Sequence, residues 1–106
     1  MTQTDIRKQI VAVANVVLAG AKGVVEASRE MRPMFLSLDE DVSGWDCVQT
    51  ILAIESETDD EPVGEQRQLW APALLEERDR NREEYVARVQ GDAEEACRHL
   101  VLRLGR

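Results

Sequence analysis

The stretch that decides the fold is residues 72–104, PALLEERDRNREEYVARVQGDAEEACRHLVLRL. Positions three and four residues apart form one mostly apolar stripe, made of Leu75, Arg78, Arg82, Tyr85, Val89, Ala93, Ala96, Leu100 and Leu104. This period is typical of an α-helix with one face toward a core, and proline suits its first position. We therefore predict one long C-terminal helix. Gly91 weakens it by about 1 kcal/mol, enough to bend or break it there.

Two further segments near the N-terminus have the same spacing. We expect a first helix to begin after Thr4 as N-cap and to end at the glycines of residues 20–23. Its apolar face is Ile6, Ile10, Val13 and Val17. A second helix has the face Val24, Ser28, Met31, Phe35 and Leu38. Since proline removes a backbone donor and clashes with the preceding turn, Pro33 predicts a kink or a restart, so that the helix forms two short pieces.

A third helix is predicted around residues 47–54, with Ser43 as its cap. Its β-branched residues make a strand the alternative. The helix is favoured because no other segment offers a convincing partner strand, and a lone strand leaves its backbone groups unpaired. The fold class is therefore all-α, a single helical domain over residues 1–106 built as a small bundle of about four helices.

Composition limits the classes of partner. The 106 residues carry a net charge of −8, which disfavours nucleic acid and anionic membranes because both are bound by clustered cations. The apolar stretch at residues 10–21 is too short to span a bilayer, and no signal peptide is recognisable. We expect a cytoplasmic protein. Cys47 and Cys97 lack the spacing of a metal site and are interpreted as two buried thiols.

The excess negative charge lies in residues 33–66, which contain ten acidic residues and no lysine or arginine. We call this segment the acidic block. A solvated segment that aids solubility is one interpretation, and a docking surface for a cationic protein partner is the other. The candidate partner-binding residues are Glu55, Glu57, Asp59, Asp60, Glu61, Glu65, Arg67 and Trp70. Arg67 and Trp70 are included because these residue types dominate binding hot spots. The other interpretation is that Arg67 pins its own loop, with Trp70 as its apolar anchor.

Catalytic and metal sites have little support. His99 is the single histidine, with no nucleophile near it in sequence. Glu55, Glu57 and Asp59 alternate as Ca²⁺ ligands sometimes do. An EF-hand loop counted from Glu55, however, needs glycine at the position of Asp60 and glutamate at that of Gln66. We expect no catalytic residue, no metal and no cofactor.

The segment Glu57-Thr58-Asp59, with Pro62, Gly64, Arg67 and Trp70, follows the pattern E-T-D-x-x-P-x-G-x-x-R-x-x-W. It resembles a family of small bacterial helical proteins of uncharacterised function, over roughly residues 54–104. The resemblance implies a bacterial source and no activity. Small acidic proteins of this kind are often immunity proteins or antitoxins, which is a property of the class.

The sequence thus favours a non-enzymatic binding protein, an acidic immunity protein or antitoxin that neutralises a basic toxin through residues 33–66. The alternative is a structural or regulatory module that forms a homodimer through the apolar stripe of its last helix. A small enzyme or metal-dependent switch is the third hypothesis.

Overall fold

The computed structural model of the chain describes residues 2–59 and 71–105. This part forms four helices: α1 (Gln3–Leu18), α2 (Val24–Leu36), α3 (Asp46–Glu57) and α4 (Pro72–Leu104). The all-α prediction and the long C-terminal helix are confirmed. Residues 47–54 are helical and lie within α3. None of these helices combines the length and the apolar composition that crossing a bilayer requires.

The helices form an up-down-up-down bundle in which α1, α2, α3 and α4 each pack against the next, and α4 closes the ring against α1. The predicted stripes supply the core. In α4 the buried members are Ala93, Ala96, Leu100 and Leu104. Of the second predicted face, Val24, Ser28, Met31 and Phe35 are buried within α2, and Leu38 is buried just after its end. Tyr85, Val89 and the other N-terminal positions of the α4 stripe are half-buried. The helical period therefore predicted the core faces correctly.

The start of α1 differs from the prediction. Its N-cap is Thr2 rather than Thr4. The Thr2 hydroxyl accepts a hydrogen bond from the Asp5 backbone N–H at 3.1 Å, and the Asp5 carboxylate accepts one from the Thr2 N–H at 3.3 Å. This reciprocal capping box satisfies two donors, whereas a cap at Thr4 leaves Asp5 without that role.

The end of α1 follows the predicted glycine signal. Gly20 has a φ of +77°, a conformation that residues with a Cβ rarely adopt. Its N–H donates to the Val17 carbonyl at 2.9 Å, and the Ala21 N–H donates to the Val16 carbonyl at 3.0 Å. These two bonds form a Schellman motif, which ends the helix.

The division of the second helix into two pieces at Pro33 is wrong, and α4 is not interrupted at Gly91. Pro33 lies inside α2, which continues to Leu36 as one element. The proline ring removes one backbone hydrogen bond of the helix. Because α2 ends within a turn of Pro33, no further helical turns have to continue beyond this position. Similarly, α4 runs through the exposed Gly91 without a break, since packing on both sides of that position outweighs the low helix propensity of glycine.

Candidate partner-binding surface

The described acids of the acidic block lie at the two ends of α3. Asp39, Glu40, Asp41 and Asp46 belong to the α2–α3 connection and the first turn of α3, and we call them the loop acids. Glu55, Glu57 and Asp59 belong to the other end of α3, and we call them the distal acids. With 12 residues in α3 and 1.5 Å per residue, the two groups are about 18 Å apart along the helix.

The predicted binding residues fall only partly within the described structure. Glu55, Glu57 and Asp59 are described, and they lie together at the C-terminal end of α3. The other five predicted residues lie outside the described residues: Asp60, Glu61, Glu65, Arg67 and Trp70. The interpretation that Arg67 pins its own loop therefore concerns a residue outside the described ones as well.

The Glu55 side chain is half-buried at the surface of the bundle. Its side chain is 19% exposed, and its Oε2 lies 3.7 Å from Nε of Arg32 in α2. Arg32 is the base that borders the acidic block in sequence, and α2 brings it onto the acid. A carboxylate that is ion-paired within its own chain contributes less to attraction of a distant cation.

Glu57 contacts α4. Burial raises the pKa of the Tyr85 phenol, and the negative charge of Glu57 and a hydrogen bond with its carboxylate raise it further. The phenol therefore stays protonated at neutral pH and is the donor toward Glu57. Asp59, in the turn that follows, is exposed.

The C-terminal end of α3 is fixed by an arginine that the sequence analysis missed. Thr58 is buried, its hydroxyl donates to the Ile54 carbonyl at 2.6 Å, and its own carbonyl accepts a hydrogen bond from the Arg29 guanidinium. The last carbonyls of a helix lack partners within the helix, so a cation there is favourable. The sequence shows Arg29 beside the apolar stripe of α2, but the helix end that it reaches is a matter of tertiary packing.

The loop acids are arranged by contacts with α1 and within the connection. Arg7 forms an ion pair with Glu40 at 2.8 Å. The Gln3 side chain donates to the Ser37 carbonyl at 3.1 Å and accepts from the Asp39 backbone N–H at 2.8 Å. The expected cap of α3 is wrong: the N-cap is Trp45, which makes no side-chain cap, and the Ser43 hydroxyl donates instead to Asp41 at 2.6 Å.

Asp41 is stabilised in its charged form. The hydroxyl of Ser43, followed by its backbone N–H, donates to the carboxylate and holds the pKa of Asp41 below its ordinary value of 3.8. Because the local bonds fix the carboxylate without neutralising its charge, Asp41 remains a negative group on an exposed surface. A cationic side chain can therefore approach it from solvent.

The two cysteines and the histidine lie in surroundings that do not favour catalysis. Cys47 and Cys97 are both buried; burial raises the pKa of both thiols, and that of Cys97 to about 11. Such thiols are poor nucleophiles near neutral pH. His99 lies on the outer face of α4, 4.0 Å from Glu95. Within residues 2–59 and 71–105, no group of three or more His, Cys, Asp or Glu side chains is arranged to hold a metal ion.

No protein-family model, curated protein sequence or solved structure matches the chain. The resemblance to the small bacterial family of the E-T-D signature stays a prediction.

Proposed function

We propose that the chain is a non-enzymatic binding protein for a cationic protein partner, and that it acts as an acidic immunity protein or antitoxin against a basic bacterial toxin. The observation that supports this proposal is the position of the acidic block. Of its seven described acids, six are exposed and Glu55 is half-buried. Only Glu40 and Glu55 form ion pairs with described basic residues, Arg7 and Arg32 respectively.

Unpaired surface charges of one sign produce a field that extends into solvent and attracts an oppositely charged partner. Such steering raises association rates by ten- to a thousand-fold at low salt. Against a toxin that acts on nucleic acid, the carboxylates would occupy the position that substrate phosphates take. The two ends of α3 would then contact separate basic patches of the partner.

The alternative, self-association through the stripe of α4, has less surface to use. Ala93, Ala96, Leu100 and Leu104 of that stripe are buried within this chain. A second copy would have to bind the half-buried N-terminal part of the stripe, residues 75–89. Sedimentation over a range of concentrations distinguishes the two, since a strict monomer excludes the homodimer.

The proposal is tested by co-expression with the product of the adjacent gene and by charge reversal. One variant carries Asp39→Lys and Asp41→Lys, and a second carries Glu57→Lys and Asp59→Lys. A control with Glu76→Lys and Glu77→Lys changes the net charge equally but lies on exposed positions of α4. We expect a cationic partner to co-purify with the wild type and the control, and to be lost from at least one acidic-block variant.

Two results oppose the proposal. Either no cationic protein is retained, or all three charge-reversed proteins retain it equally. In the second case binding follows the net charge of the protein, which all three variants change equally, and does not depend on the position of the acidic block. Thermal unfolding of each variant establishes that the fold is kept.

A further inference from the structure

A groove lies beside the loop acids, between the C-terminal end of α2, the connection and α3. Its volume is about 430 Å³, within the range of sites that bind compact ligand groups. Its apolar lining is Phe35, Leu36, Leu38, Val42, Val48 and Leu52. Its charged lining is three acids, Asp39, Glu40 and Asp41, and one base, Arg32. The groove therefore combines an apolar floor with a mainly acidic rim.

One wall of the groove is an exposed leucine. Leu36 is 75% exposed, the largest fraction among the exposed large hydrophobic residues of the described chain. A single exposed leucine is ordinary on a protein surface. Leu36 is different because it adjoins a groove whose floor, Phe35 and Val48, is continuous with the core. An apolar side chain of a partner placed against Leu36 would therefore continue the apolar surface of the core.

The rim defines the charge of the occupant. Glu40 is already paired with Arg7, and Arg32 lies near Glu55. Asp39 and Asp41 are exposed and have no ion pair among the described residues. Asp41 is also held in place by two hydrogen bonds from Ser43, at 2.6 and 3.0 Å, so less conformational freedom is lost when a cation binds it.

We propose that this groove docks an amphipathic, cationic helical segment of a partner protein, with an aliphatic side chain against Leu36 and lysine or arginine at Asp39 and Asp41. Helix-in-groove binding uses apolar anchors at helical spacing, and flanking charges set orientation and association rate. This inference rests on the proposed function for the sign of the partner's charge. It moves the docking site from the distal acids, where the sequence placed it, to the loop acids.

The test uses the full-length ¹⁵N-labelled chain and a 15-residue amphipathic helical peptide of leucine and lysine. A second peptide, with glutamate in place of every lysine, is the charge control. We expect the lysine peptide to shift amide resonances in residues 36–43 and 48–52, and the glutamate peptide to leave them unchanged. Leu36→Ala, and separately Asp39→Asn with Asp41→Asn, should each weaken binding at least five-fold.

Matched substitutions on α4 separate the groove from general effects. Leu74→Ala removes another exposed leucine, 51% exposed, and Glu76→Gln with Glu77→Gln removes two other exposed acids. Both should bind the lysine peptide as the wild type does. The substituted leucines and acids are exposed, so each variant should stay folded, which thermal unfolding checks.

Three results would overturn the proposed binding at the groove and leave the proposed function to its own test. In the first, the lysine peptide shifts residues 54–59 instead and loses affinity with Glu57→Gln and Asp59→Asn. In the second, the two peptides bind equally, and in the third, neither peptide binds. If the neighbouring gene product still co-purifies in those cases, the partner uses another part of the acidic block. If it does not, the proposed function fails independently.

Discussion

The two ends of α3 carry the same kind of side chain but are held in different ways. At the C-terminal end, Glu55 pairs with Arg32 and Glu57 lies beside the Tyr85 phenol. At the N-terminal end, Asp39 and Asp41 are exposed. The Asp39 backbone N–H donates to the Gln3 side chain of α1, and the hydroxyl of Ser43 donates to the Asp41 carboxylate. Two of the distal acids, Glu55 and Glu57, thus contribute to the bundle's own surface contacts, while two of the loop acids keep their charge available to solvent.

This difference shows why a count of charge along the sequence does not locate a binding surface. The sequence makes residues 55–61 the densest acidic run. In the fold, α2 and α4 pack against the C-terminal end of α3. Arg32 of α2 then lies near Glu55, and the Tyr85 phenol of α4 lies beside Glu57. A charge that already has a partner offers a ligand less than an unpaired one, because the existing pair must first be given up.

Destabilising α3 should affect both groups of acids, because this helix joins them. Ile51 is 1% exposed in the middle of α3, so Ile51→Ala leaves a cavity and should lower the free energy of unfolding by about 2–5 kcal/mol. Urea denaturation measures this loss. Hydrogen exchange should show amides at both ends of α3 losing protection together.

Leu52→Ala is the matched control, since Leu52 is the next residue of the same helix and is only half-buried. Its loss of stability should be clearly smaller than that of Ile51→Ala. One contrary result is that Ile51→Ala and Leu52→Ala lower the free energy of unfolding equally. The other is that amides at only one end of α3 lose protection from exchange. In either case α3 does not couple the loop acids to the distal acids.

The core was predictable from the sequence because its signal is periodic. Positions such as Met31 and Leu100 recur at helical spacing and are fully buried, and burying such a face is the main source of helix stability in a bundle. Helix breaks were overestimated at Pro33 and Gly91 for the same reason: a local propensity of a few kcal/mol or less is outweighed when neighbouring turns are packed.

The candidate site was predictable only as a composition. The acidic block is visible in the sequence, but its division into two groups depends on α3 lying between Asp46 and Glu57. The partners Arg7 and Arg29 come from helices 33 and 29 residues away from Glu40 and Thr58. No periodicity reports such contacts, because they depend on which helix ends meet in the bundle.

The second prediction compares two arginines of α2 that lie three residues apart. Arg29 donates to the carbonyl of the buried Thr58, so Arg29→Met leaves that acceptor unsatisfied and should lower the free energy of unfolding by about 1–3 kcal/mol. Arg32 has a side chain 55% exposed and lies 3.7 Å from Glu55, so Arg32→Met should cost less than about 1 kcal/mol.

Chemical denaturation of both variants at one pH and salt concentration measures the difference. Increasing salt should reduce the small loss of Arg32→Met, since that ion pair is near solvent, and should leave the loss of Arg29→Met nearly unchanged. Equal losses would mean that the end of α3 is not fixed through Thr58.

The smallest expected effect concerns the loop acids and separates a positioned carboxylate from a merely exposed one. Ser43→Ala removes the hydroxyl that contributes most to the lowered pKa of Asp41. The backbone N–H of residue 43 still donates to the carboxylate, so the pKa should rise toward 3.8 without reaching it. NMR titration of the Asp41 carboxyl carbon measures the midpoint, and Ser56→Ala, in α3 near the distal acids, should leave it unchanged.

The pH dependence of stability follows with a defined sign. A carboxylate whose pKa is lower in the folded chain stabilises the fold at pH values above its unfolded pKa, and this contribution is lost as the pH falls through the folded pKa. Wild type and Ser43→Ala should therefore differ most near neutral pH and converge in acid. A titration midpoint unaffected by Ser43→Ala would show that Asp41 is not preorganised, and the loop acids would then lose the feature that best distinguishes them from the distal ones as a docking site.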